Sequence, residues 1–313
     1  MPAPRLTRRR AIGLLAGGAT LGATGLLVVG CTSDGTTRPP TDRADVDADR
    51  RIVLDLLVQV RGLQVLLHRT RTASRADRRR FAGLAELHEA QEAALGGARL
   101  QLDTSDPIPA GRGTSAVRSA ESSWIRRLTD AAVRAAEPRF ALLLGAMAAG
   151  TAQELTRLED RVETDPVPGP TLTAGAASDA LQDALAAEHA ALYVIETLGA
   201  RTAFDSELRD RLGHLAGRHR ARREALIALL LAADTAPVGP ASSYEVPTDL
   251  VTAAGITARI GEVEEDLLPR YAALVAAGQG ALRRWALGLW RTSAEQAVRY
   301  GRPPAALPGL ASS

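Results

Sequence analysis

The sequence predicts an all-α fold of two tandem antiparallel four-helix bundles from an internal duplication. Three observations carry this expectation. Beyond residue 46, long runs of helix formers are broken mainly by the Pro/Gly clusters SDPIPAGRG (105–113), TDPVPGPTLTAGA (164–176) and TAPVGPASSYEVPTD (235–249). Alternation of the strand type is absent. Finally, LAELHEAQEAAL (Leu84–Leu95) recurs as LAGRHRARREAL (Leu215–Leu226), which aligns His88 with His219 at an offset of 131 (219 − 88).

The same ungapped offset aligns Leu100 with Leu231, Asp103 with Asp234, Pro109-Ala110 with Pro240-Ala241, and PRFALL at Pro138 with PRYAAL at Pro269. Alanine and leucine matches arise by composition; matched His, Asp, Pro-Ala and Pro-Arg-aromatic positions do not. The expected layout is an export signal over 1–30, a lipidated Cys31 with a polar tether over 31–46, a first bundle over 47–165, a linker over 166–175, a second bundle over 176–302 and a tail over 303–313. Helices of the second bundle are expected near 176–198, 204–233, 248–277 and 280–301. Short links make helices 1 and 2, and 3 and 4, antiparallel neighbours. The longer segment 235–248 crosses over the bundle, which is the ferritin-like connection.

Composition narrows the function. Aromatic residues are 3% of the chain, too few for base-stacking platforms. The formal charge is +2, but Arg5, Arg8, Arg9 and Arg10 lie in a leader without acidic residues, so its removal leaves 2 − 4 = −2. No nucleic-acid partner is expected. The leader has a basic start and an apolar middle. Its TRRRAIG (7–13) resembles a twin-arginine signal without the usual phenylalanine, and VVGC (28–31) resembles a lipobox. Cys31 is the only cysteine, so lipidation is expected there, an internal disulfide is excluded, and the protein is expected to be exported and anchored to the outer face of the cytoplasmic membrane.

Apolar spacing at steps of four and three puts these side chains on the axis of the second bundle: Leu181, Leu185, Glu188, Leu192 and Ile195; Leu208, Leu212, Leu215, His219, Arg222, Leu226 and Leu229; Ala253, Thr257, Ile260, Glu264, Leu267, Tyr271 and Leu274. On the fourth helix one choice is Leu282, Ala286, Leu289, Ser293 and Gln296, with Glu295 at the edge. Counting from the crossover puts Glu188, His219 and Glu264 in one layer. The ungapped offset puts Leu57 and Val133 at the registers of Glu188 and Glu264, so an acidic cluster is expected in the second bundle alone.

Burying unpaired carboxylates costs several kcal/mol, which leaves two readings. In the favoured one, Arg222 pairs with Glu188 or Glu264, and His219 completes a structural polar network. In the other, Glu188, His219 and Glu264 hold iron, manganese or zinc, with His189 or Glu295 as extra ligands. Trp124, Trp285 and Trp290 read as packing residues. No phosphate loop, nucleophile elbow, Zn-type Cys pattern or His-Glu-x-x-His helix occurs.

With AEHAALYVIETLGAR, HRARREAL, APVGPASSYEVP and RYAALVAA in place, the span Ala176–Gly301 resembles the actinobacterial ferritin-like domain of unknown function found in twin-arginine-exported proteins. That resemblance implies a helical bundle and brings no established activity. Di-iron members of the ferritin-like class use paired Glu-x-x-His motifs. Here Ala216 stands three residues before His219 and Val298 three after Glu295, so half of that ligand set is missing. The leading functional expectation is a non-enzymatic, lipid-anchored binding or scaffolding module. A metal-handling or metal-dependent redox protein is the alternative, and a small-molecule binder using a cleft between the bundles near GPASSYEVP is a third.

Overall fold

Two Ser/Thr caps and a half-buried aspartate show how the helix ends are set. Ser206 accepts a hydrogen bond from the Arg209 amide and Thr252 one from the Gly255 amide, starting two long helices. Asp49 accepts from the Ala136 and Glu137 amides, capping a third from another element. The structure is a computed structural model, and it describes residues 43–97, 111–158, 177–203 and 206–310. The export signal, Cys31, the start of the tether and the linker 166–175 lie outside the described residues.

The described residues form α-helices and no strand: α1 (Arg43–Arg71), α2 (Arg75–Arg80), α3 (Ala82–Ala94), α4 (Thr114–Arg134), α5 (Pro138–Leu158), α6 (Ser178–Ala200), α7 (Glu207–Ala232), α8 (Ala253–Ala277) and α9 (Gly280–Arg299). The all-α class is as the sequence predicts. The second-bundle helices fall within a few residues of expectation; the largest difference is at α8. Its Thr252 cap fixes the start at Ala253, so 248–252 remain in the crossover, and Ala253 is exposed where the sequence pattern put it in the core.

The crossover runs the length of α6. It enters beside Gln182, which bonds the Ala236 carbonyl and the Val238 amide, continues past the Tyr193–Tyr244 ring pair, and leaves where Arg201 donates to the Pro247 carbonyl. α8 therefore begins at the end where α6 finishes, giving an up-down-down-up order. The first set, α1 to α5, is connected alike, because Asp49 near the start of α1 meets the end of α4.

The two sets are not separate bodies. All described residues fall within one compact unit, Pro40–Ser313, and one apolar core runs through both sets. α5 packs on α8 and α9. Gly145 permits this contact, since a Cβ there would lie 2.8 Å from Leu287 and 2.9 Å from Trp290. Arg283 of α9, almost fully buried, donates to the Ala132 and Ala135 carbonyls of the first set and to those of Val275 and Gly278 in its own. The GPASSYEVP loop lies on α6, while the sets meet through α4, α5, α8 and α9, so no cleft between bundles opens at that loop. The C-terminal segment also packs down: Trp290 donates to the Pro308 carbonyl and the Ala305 amide to Gln153.

The Pro-Arg-aromatic match of the repeat does not hold in three dimensions. Pro138 opens α5, whereas Pro269 sits inside α8. α3 stops at Ala94, six residues past His88, but α7 continues to Ala232, thirteen past His219. The equivalence of third and fourth helices therefore shifts by about a dozen residues after the crossover.

Candidate functional site

Each of α6, α7, α8 and α9 contributes polar side chains to one layer of the second set. Glu188, His219 and Glu264 are fully buried and Arg222 nearly so. They occupy helix positions in phase with Leu185 and Leu192, with Leu215 and Leu226, and with Ile260 and Leu267, and so cannot turn outward without rotating those leucines into water. Such buried charge needs partners, and the structure supplies them internally.

His219 stands between the carboxylates. Its Nδ1 lies 2.7 Å from Glu188 Oε2 and its Nε2 3.2 Å from Glu264 Oε1. Arg222 Nη1 lies 3.9 Å from both Glu188 Oε1 and Glu264 Oε2. That nitrogen donates to the Ser293 hydroxyl at 3.1 Å and the Tyr271 hydroxyl at 3.4 Å, and the guanidinium sits over the Tyr271 ring. Tyr271 in turn donates to Glu188. Two cations thus balance two carboxylates.

Burial alone would push the His219 imidazole down, but the Glu188 and Glu264 carboxylates outweigh it and hold it above its usual value of 6.5. Burial would push Glu264 up, yet His219, Arg222 and the Ser293 hydroxyl hold it below 4.5. Burial and Glu188 together push the Tyr271 phenol well above its usual range.

These directions set a pH profile. A raised histidine contributes stability that is complete below pH 6.5 and is lost as pH climbs through the folded value; a lowered carboxyl contributes above pH 4.5 and is lost as pH falls through its folded value. The thermal midpoint is expected to be highest between those two limits and to fall on both sides. Against the parent, a His219→Gln variant scanned by circular dichroism should lose the alkaline slope. A parent midpoint that stays level well above pH 6.5 would show that His219 enters the fold neutral.

The geometry does not suit a metal. Both ring nitrogens of His219 already face carboxylates on opposite sides, so the three expected ligands do not converge on one point, and Arg222 occupies the space between the carboxylates. Neither proposed extra ligand joins them. His189 is half-buried and meets the Val238 carbonyl of the crossover. Glu295 pairs with Arg291 at 2.8 Å in a groove bounded by α4, α5 and α9. Among the described residues no group of three or more His, Cys, Asp and Glu side chains is arranged to hold a metal ion.

The first set carries a buried network too, contrary to the expectation that the acidic cluster is confined to the second. His88 Nε2 lies 2.9 Å from Glu121 Oε1, both fully buried. Gln91 faces His88 Nδ1, donates to Thr151 and the Met147 carbonyl, and accepts from Trp124 Nε1. Glu121 stands 33 residues after His88, whereas Glu264 stands 45 after His219. The interval through the crossover is thus 12 shorter, and an ungapped offset points at Val133 instead. Its signal was available: Glu121 lies in phase with Val117, Trp124 and Leu128. Leu57 does replace Glu188, and Gln91 replaces Arg222, both at the original offset of 131.

Residues 180–312 match the model of DUF4439, a domain of unknown function. The DUF4439 stretch takes in α6 to α9, the buried quartet and the C-terminal segment that packs against Trp290. A solved structure, of a conserved hypothetical protein from Mycobacterium tuberculosis, is 29% identical, with 40% of this chain and 87% of that chain covered and a TM-score of 0.37. No curated protein matches.

Proposed function

We propose that the protein is a lipid-anchored module of the cell envelope, ferritin-like in its connectivity and produced by duplication, that binds or scaffolds and performs no chemistry in its buried layer. The observation that carries this reading is the charge balance around His219: each charge in the layer has its counterpart there, and Glu188, His219 and Glu264 are fully buried with Arg222 nearly so. A substrate would have no path to these groups, and a metal would compete with Arg222 for the same carboxylates. Membrane attachment is supported by VVGC at 28–31, where the chain's only cysteine stands after small and apolar residues, followed by a polar, Pro-bearing stretch. Each methylene of an attached acyl chain buried in the bilayer contributes about 0.8 kcal/mol, so two chains anchor stably.

Two measurements on the full chain test the reading. Membrane association and the mass of the Cys31-bearing fragment should both change in Cys31→Ser, the fragment losing its acyl mass. Elemental analysis of protein purified without chelators should find no stoichiometric iron, manganese or zinc. Near-stoichiometric metal in the parent, lost in both His219→Ala and Glu264→Ala, would transfer the function to a metal site.

A further inference from the structure

Positive charge is gathered at one end of the first set. Between Arg69 and Arg80 the chain carries six arginines and a single acid, Asp77, a net +5 within twelve residues. Past the leader the chain sums to −2, so everything there outside this stretch carries −2 − 5 = −7. A patch of one sign thus stands on a protein of the other.

The fold holds these arginines together. Arg69 and Arg71 lie in the last turn of α1, and a short turn leads into α2, which packs against α1 and carries Arg75, Arg78, Arg79 and Arg80. Arg80 and Arg118 of α4 both donate to the Leu158 carbonyl at the end of α5, each at 3.3 Å, so a third basic element joins the same end. Arg69, Arg75, Arg78, Arg79 and Arg80 are exposed. Among the described residues, none of the six arginines from Arg69 to Arg80 pairs with a carboxylate. The acids at hand are engaged: Asp77 accepts from the Ser74 hydroxyl at 2.8 Å, and Glu154, which faces Gly83 of α3, is held by Arg157 at 2.8 Å.

Helix ends account for part of this charge. A cation in the last turn of α1 or α2 meets the free carbonyls there, but that effect is confined to the turn and is met by one or two side chains. The remaining guanidiniums repel one another, and a polyanion laid across them removes the repulsion.

We propose that this arginine cap binds an anionic phospholipid surface. Clustered basic side chains need only a dense sheet of negative charge to be held there, and guanidiniums match phosphate oxygens in pairs. The choice of lipid over other polyanions rests on the proposed acylation of Cys31. Arg43 follows Cys31 by 43 − 31 = 12 residues, an extended reach of about 40 Å. That compares with a length of roughly 43 Å for α1, so a chain tethered at Cys31 can lay α1 along the bilayer and bring the cap to the headgroups. Tethering raises their effective concentration above that of a polyanion that must diffuse in. Acyl anchor and basic patch are then the two signals that make attachment stable.

The test uses the full chain carrying Cys31→Ser, so that the cap is read without an acyl group and either reading can fail alone. Co-sedimentation is expected with phosphatidylglycerol vesicles, not with phosphatidylcholine vesicles, and is expected to weaken as salt rises. Each arginine at such a surface contributes about fivefold, so replacing Arg75, Arg78 and Arg79 together by glutamine should weaken binding roughly a hundredfold. These three side chains are exposed, and an unchanged thermal midpoint verifies that the fold is intact. A control with Arg134, Arg139 and Arg270, also exposed, replaced by glutamine loses the same charge elsewhere and should bind nearly as the parent does. No binding to phosphatidylglycerol, equal binding to both vesicles, or an equal loss in the control overturns the cap as a lipid site. Retention on polyglutamate without vesicle binding would reassign it to an acidic protein. Vesicle binding that appears only when Glu159, Asp160, Glu163 and Asp165 are neutralised would assign it to the chain's own acids.

Discussion

Replacing Arg222 by glutamine is expected to destabilise the protein by about 3–5 kcal/mol, the cost of removing one member of a buried ion cluster. The change keeps much of the side-chain volume and the ability to reach Ser293 and Tyr271, so packing accounts for little of the loss. What disappears is the positive charge 3.9 Å from each of two fully buried carboxylates. His219 then remains as one cation against two anions. At roughly 2–4 °C per kcal/mol for domains of 150–250 residues, a fall in the thermal midpoint on the order of 10 °C is expected. Circular dichroism melts near pH 6 measure it directly. A fall of only a degree or two would mean that water or a change of protonation compensates the carboxylates, and the layer would no longer count as closed.

The residues of this layer were legible because helical periodicity decides burial regardless of chemistry. Glu188, His219, Arg222 and Glu264 lie in phase with leucines, and a side chain in that phase goes inward with its helix. Pairing was harder to read. Tyr271 and Ser293 were on the predicted seam, but nothing in a periodic pattern says that a core tyrosine donates to Glu188 or that a small hydroxyl sits between Arg222 and Glu264. Ala253 was misplaced because the apolar pattern continues past the point where the Thr252 cap begins α8. Glu121 was missed for a different reason. Repeat alignment assumed a constant offset across the crossover, and crossover length is the quantity least constrained by packing, because a surface segment gains or loses residues without moving the helices it joins.

That shifted alignment yields the sharper expectation. The two networks share a His bonded to a Glu from the third helix. They differ by a pair: Leu57 and Gln91 in the first set stand where Glu188 and Arg222 stand in the second. One exchange removes a negative charge and the other a positive one, so the pair of exchanges leaves the net charge unchanged, whereas either one alone does not. Glu188→Leu alone should cost several kcal/mol by leaving Arg222 with surplus charge and Tyr271 without its acceptor. Arg222→Gln alone carries the cost argued above. Combined, they place the first set's residue types at both registers and remove one charge of each sign; in the first set Gln91, at the Arg222 register, bonds His88, Thr151 and Trp124. The double variant is therefore expected to recover most of the summed loss, with a coupling of about 2–3 kcal/mol in a double-mutant cycle. Strict additivity would point elsewhere: Arg222 would then stabilise the layer through Ser293 and Tyr271, and the charge it brings to Glu188 would be incidental. A large coupling would make the Glu188–Arg222 pair a unit gained or lost together, because either member alone leaves an uncompensated buried charge.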